Sequence, residues 1–103
     1  MPLLQIIYIN SNLIEEIPNE TFADCHKLIT LDIDNNKLKS IAKMDFSSLR
    51  QLKTLDLRSN SIEFIHPEAF HNLTSLENLD LSNNDLEYIH PEAFRNLTSL
   101  STL

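Results

Sequence analysis

Asparagine recurs every 24 residues, at Asn12, Asn36, Asn60 and Asn84, and each copy sits in the same apolar frame. With the asparagine taken as position 9, the frames are Leu4, Ile7, Ile9, Asn12, Ile14; Leu28, Leu31, Ile33, Asn36, Leu38; Leu52, Leu55, Leu57, Asn60, Ile62; and Leu76, Leu79, Leu81, Asn84, Leu86. That is L-x-x-L-x-L-x-x-N-x-L, and Leu100 and Leu103 open a further copy. A period of this length makes each unit one small supersecondary structure that cannot bury its apolar face alone and must stack on its neighbours. The chain is therefore expected to be a single array over 1–103, with units starting near 4, 28, 52, 76 and 100.

Within a unit, positions 4 and 6 alternate with polar residues, as Leu55 and Leu57 do around Asp56, which predicts a short strand with one buried face. Stacked units would then form a parallel sheet. The asparagine follows at the bend, where a buried amide is expected to bond the backbone of its own loop and of the next repeat. The return segment carries isoleucine at position 14 (Ile17, Ile41, Ile65, Ile89) and phenylalanine at position 19 (Phe22, Phe46, Phe70, Phe94), which predicts a stacked aromatic spine. Leu49, Leu73 and Leu97 complete the wall at position 22, and Cys25 shares their register, so it reads as a small core residue. Little here has helical periodicity, so an irregular, turn-rich or 3₁₀ return is expected. The chain contains no glycine, so its turns must use Asn, Asp, Ser and Pro; the asparagines at 10–12 and 34–36 suit left-handed backbone.

The phrase Leu79-Asp80-Leu81-Ser82-Asn83-Asn84-Asp85-Leu86, followed by Ile89 and Ala93-Phe94-Arg95-Asn96-Leu97, resembles the typical 24-residue class of leucine-rich repeats found in extracellular animal proteins. It is similar in this to Toll-like receptor ectodomains and secreted immune repeat proteins. The shorter repeats of internalins and the helix-bearing repeats of ribonuclease inhibitor differ in period or lack the phenylalanine column. The resemblance implies a leucine-rich repeat solenoid with short parallel β-strands on a concave face and an irregular or 3₁₀ convex face. It also implies an extracellular or secreted parent protein and a role in recognition, innate immunity included. Capping modules of such proteins usually carry several paired cysteines, whereas Cys25 is the one cysteine here, so the chain is expected to be an uncapped fragment.

Fifteen acidic residues against eight basic ones give a net charge of -7, which disfavours nucleic acid and anionic membranes and tolerates a basic partner. No run approaches the roughly 20 apolar residues needed to cross a bilayer, and residues 1–10 lack the pattern of a secretory signal. In the implied architecture, positions 2, 3, 5, 7 and 8 project from the concave face, where a macromolecular partner would sit. The expected contact residues are Ile6, Tyr8, Asn10, Ile29, Asp32, Asp34, Asp56, Arg58 and Asp80. Tyr8, with Ile6 and Ile29, reads as a hot spot, or else as ground that a preceding cap once covered. Asp32, Asp56 and Asp80 share position 5 and should form an acidic column, with Arg58 placed to compensate beside Asp34 and Asp56. Spaced carboxylates of this kind make a poor calcium cage, so no metal and no cofactor is expected.

The duplicated Ile-His-Pro-Glu-Ala-Phe phrase sets His66 beside His90 and Glu68 beside Glu92, which is better read as a solvated loop than as a zinc set. Asn19, Asn72 and Asn96 open Asn-x-Thr sequons and are glycosylation candidates if the parent is secreted. No nucleophile–base–acid set stands out, and a glycine-rich phosphate loop is ruled out by composition, so catalysis is not expected. Two functions remain open: a binding module acting through its concave face, or an excised or engineered array that self-associates through uncapped ends and has no ligand of its own.

Overall fold

The computed structural model describes residues 3–18, 20–95 and 97. Positions 3 to 5 of the four units form β1 (Ile6–Tyr8), β2 (Thr30–Asp32), β4 (Thr54–Asp56) and β6 (Asn78–Asp80). They pair in parallel in the order β1-β2-β4-β6, with like positions in register: Ile7 meets Leu31, Leu31 meets Leu55, and Leu55 meets Leu79. The 24-residue period thus becomes one step across a sheet, and the alternation buries Leu31, Leu55 and Leu79 while their flanking polar residues face outward. The pairing runs on past the strands, with Ile33 N donating to Asp56 O at 2.9 Å and Leu57 N to Asp80 O at 2.9 Å.

The core is built from whole registers. Leu28, Leu52 and Leu76 are fully buried at position 1, Leu38 and Ile62 at position 11, and Phe46 and Phe70 at position 19. Phe22 stacks on Phe46 at 6.2 Å between ring centroids, and Phe70 on Phe94 at 6.1 Å. Cys25 is buried at position 22, as its register requires. In the first unit Ile7, Ile9, Ile14 and Ile17 are only partly buried, since a single neighbour covers them.

The return segments are chains of tight turns in which an amide bonds the carbonyl three residues back, such as Cys25 N to Phe22 O, Leu49 N to Phe46 O and Leu73 N to Phe70 O, each at 3.1 Å. They are not wholly irregular. β3 (Ser40–Ile41) and β5 (Phe64–Ile65) form a second, two-stranded parallel sheet just beyond the bend. It arises because position 14 is buried in both units, which holds two consecutive backbones at strand spacing.

The asparagine ladder runs in the opposite sense from the expected one. Asn60 Oδ1 accepts from Leu38 N at 3.1 Å and its Nδ2 donates to Ile33 O at 3.1 Å, both in the preceding repeat, while it also bonds Leu57 O of its own loop at 3.0 Å. Asn36 does the same to Ile14 N and Ile9 O, and Asn84 to Ile62 N and Leu57 O. Left-handed backbone falls at position 8, one residue before the ladder: Ser11 (φ 58°), Asn35 (54°), Ser59 (56°) and Asn83 (56°). Glycine would be the usual choice there. Of the asparagines expected to fill this role only Asn35 does so; in the first unit it is Ser11.

Candidate functional site

The strand sheet presents its polar positions on the concave side, and position 5 organises them. Asp32 Oδ1 accepts from Asp34 N (3.1 Å), Asp56 Oδ1 from Arg58 N (3.1 Å) and Asp80 Oδ1 from Ser82 N (2.9 Å). Each aspartate therefore caps the bend that ends its own strand, an arrangement in which a short acidic side chain replaces a backbone acceptor. This gives the recurring Leu-Asp-Leu phrase a physical reason independent of any ligand.

Superposed on that regularity, position 7 differs in every unit: Asn10, Asp34, Arg58, Ser82. The Arg58 guanidinium lies across two carboxylates, with Nε 3.3 Å from Asp56 Oδ2 and 3.6 Å from Asp34 Oδ2, as its register placed it. Asp34 is only 4% exposed, so its carboxylate is withdrawn from the surface on which the register puts it. Asp32, Asp34 and Asp56 each bring an oxygen within 4.8 Å of the others, whereas Asp80 turns to the Ser82 hydroxyl at 2.6 Å. The position-5 column is thus divided: Asp32 and Asp56 gather with Asp34 from position 7, and Asp80 is held by Ser82 instead.

The electrostatics follow. Burial pushes the Asp32 carboxyl up to about 6, helped by contact with the Asp34 carboxylate and by repulsion from Asp34 and Asp56. Burial also raises Asp56, against the pull of the Arg58 amide and guanidinium. Asp80 lies below its ordinary range because the hydroxyl and amide of Ser82 both donate to it.

Over the paired strands β4 and β6 the polar side chains leave a trough of about 440 Å³ lined by Thr54, Asp56, Asn78, Asp80 and Ser82, with the strands beneath it at Leu55 and Leu79, whose side chains are buried in the core. At the other end of the sheet Ile6 and Tyr8 are 52% and 67% exposed on β1, and Ile29 is half-buried beside them. Asn10 is exposed.

The remaining candidates have structural duties. His66 Nδ1 accepts from Glu68 N at 3.0 Å and His90 Nδ1 from Glu92 N at 3.1 Å, so each imidazole closes its own turn. Sequence spacing alone did not reveal that. Asn72 is half-buried and donates Nδ2 to Ser47 O of the preceding repeat at 3.1 Å, while Asn19 and Asn96, like Leu100 and Leu103, lie outside the described residues. Among the described residues no helix is long and apolar enough to cross a membrane.

A family model described as leucine rich repeat matches residues 2–62 and 50–103. Among solved structures, a chain of the Toll–Spatzle complex from Drosophila is 27% identical with a TM-score of 0.93, covering 97% of this chain and 15% of its own. A chain of the LRIM1/APL1C complex is 31% identical with a TM-score of 0.90, covering 94% of this chain and 18% of its own. A chain of the TLR13–ssRNA13 complex is 29% identical with a TM-score of 0.89, covering 93% and 14%. The present chain therefore spans less than a fifth of the length of each of these relatives. No curated protein matches it significantly by sequence.

Proposed function

This chain belongs to the leucine-rich repeat family, and from that premise we propose that it is a recognition module that takes a protein partner on its concave sheet, within an extracellular receptor or secreted immune protein. The observation that carries this reading is the trough over β4 and β6, where two carboxylates, a hydroxyl pair and an amide project from neighbouring strands and no side chain among the described residues fills the space. That set suits a lysine or arginine side chain, which can make charge-assisted bonds to Asp56 and Asp80. A phosphate would meet the same two carboxylates and be repelled. One structural relative is complexed with single-stranded RNA and another with a protein, so the fold alone leaves both partner classes in play. The charge of this face favours the protein.

The test is a titration of ¹⁵N-labelled protein with a lysine- and arginine-rich peptide and, separately, with a single-stranded RNA oligomer. The peptide is expected to shift the amides of β4 and β6. Asp56→Asn with Asp80→Asn, which keeps both turn-capping acceptors, should weaken that binding by roughly tenfold or more. Shifts confined to the return segments, or RNA binding to the sheet in place of the peptide, would refute the assignment.

A further inference from the structure

Asp34 carries an unmet need. Its side chain is buried, and Oδ2 is held by Asn35 Nδ2 at 3.2 Å and faces Arg58 Nε at 3.6 Å. Its other oxygen, Oδ1, is buried with no hydrogen-bond partner. A carboxylate oxygen taken out of water without a donor is costly, and native structures seldom leave one so. The surroundings sharpen the cost. Asp32 and Asp56 bring carboxylate oxygens within 4.8 Å of Asp34, and against these three negative charges stands the single guanidinium of Arg58. From β1, the neighbour on the other side, the residue opposite Asp32 is Tyr8, an uncharged phenol. Lys53, which precedes β4, bonds the neighbouring units through its backbone, donating to Ile29 O and accepting from Glu77 N and Asn78 N.

We propose that Asp32 and Asp34 form an acid–carboxylate pair that takes up one proton in mildly acidic solution, the shared O–H supplying the donor that Asp34 Oδ1 lacks. Proton uptake cuts the excess negative charge of the cluster from two to one. It also leaves one Asp32 oxygen to accept from Asp34 N, so the bend is kept. The elevation of Asp32 to about 6, caused first by burial and next by contact with Asp34, places this uptake between about pH 5 and 7. The sign follows from linkage. An aspartate raised in the folded state holds more protons there than in the unfolded chain, so this group makes the fold more stable as pH falls from 7 toward 5. Ordinary acid denaturation of carboxylates runs the other way.

A metal cation is the competing occupant of the same oxygen, and it would have to displace the Arg58 guanidinium from Asp34 and Asp56. The test is a side-chain carboxyl ¹³C titration of the whole chain, with thermal melts at pH 7.5 and 5.5. One aspartate is expected to titrate with a midpoint near pH 6, and Asp34→Asn should lower that midpoint by at least one pH unit. Asp32→Asn, whose amide gives Asp34 Oδ1 a permanent donor, should melt higher than the parent at pH 7.5 and lose the parent's gain on going to pH 5.5. The proposal is overturned if every aspartate of the parent titrates below pH 5, a result that needs no variant to fold. It is overturned equally if the Asp32 midpoint ignores Asp34→Asn, or if calcium chloride at pH 7.5 raises the melting temperature of the parent but not of Asp32→Asn.

Discussion

Replacing Asn60 by alanine should cost far more than the same change at Asn12, and the hydrogen bonds say which atom is responsible. Asn60 is 8% exposed, and its amide donates to Ile33 O, Leu57 O and Arg58 O while accepting from Leu38 N. The three carbonyls survive its loss. Ile33 O still receives Asn36 Nδ2, Leu57 O still receives Asn84 Nδ2, and Arg58 O still receives Asn35 N. Leu38 N has no such reserve, and Leu38 is fully buried. An orphaned buried donor costs about 1–3 kcal/mol, and the weakened loop bonds add to it, so Asn60→Ala should lose about 2–3 kcal/mol. Asn12 is exposed and, among the described residues, bonds the carbonyls of Ile9 and Asn10 in its own loop, so Asn12→Ala should lose less than about 0.5 kcal/mol. Asn60→Asp separates the two halves of the role. The carboxylate keeps an acceptor for Leu38 N but points negative charge at three carbonyls, so the variant should be unstable at neutral pH and recover on acidification, when a neutral acid offers donor and acceptor together. Urea unfolding followed by circular dichroism reads all three. Equal losses for Asn60→Ala and Asn12→Ala would refute the assignment of the cost to Leu38 N.

Other perturbations are as direct. Arg58→Gln removes the cation against the buried Asp34 and should cost about 1 kcal/mol, modest because the guanidinium is half exposed; it should also raise Asp56 further in a carboxyl titration. Phe46→Ala empties a fully buried site in the aromatic spine and should cost about 3–5 kcal/mol, enough to lose the cooperative melt of so short an array. Ser82→Ala removes the largest influence holding Asp80 below its ordinary range, so the Asp80 carboxyl should move up in an NMR titration. Because a depressed carboxyl lends stability that is present above its unfolded value of 3.8 and lost as pH falls through its lower folded value, the variant's deficit should shrink on acidification below 3.8.

The repeat, its registers and the parallel sheet are all legible in the sequence, because a 24-residue period allows few ways to bury the same apolar positions each time. Cys25 shows how far register reasoning reaches: its company of leucines placed it in the core. The direction of the ladder was not legible, since it depends on the stagger between successive coils and the repeat pattern reads the same either way. Nor was the small outer sheet, whose two-residue strands fall below any detectable alternation. At the site, the pairing of Arg58 with Asp34 and Asp56 followed from position alone. The burial of Asp34 did not, because it depends on how Arg58 and Asn35 fold over a side chain that the pattern assigns to the surface. The turn-closing rings of His66 and His90 were missed for a related reason: the signal, a histidine two residues before a glutamate amide, is shared by countless unstructured loops.

The backward reach of the ladder bears on how such chains change length. At the three junctions among the described residues, the amide at position 11 of one unit is satisfied by the asparagine of its successor, so each joint takes one donor from one unit and one acceptor from the next. Donor and acceptor are therefore supplied in equal number by any whole unit, wherever the cut is made. Gene duplication or excision in steps of 24 residues conserves the matching. An array built this way can gain or lose whole units by unequal crossover without redesigning a single joint.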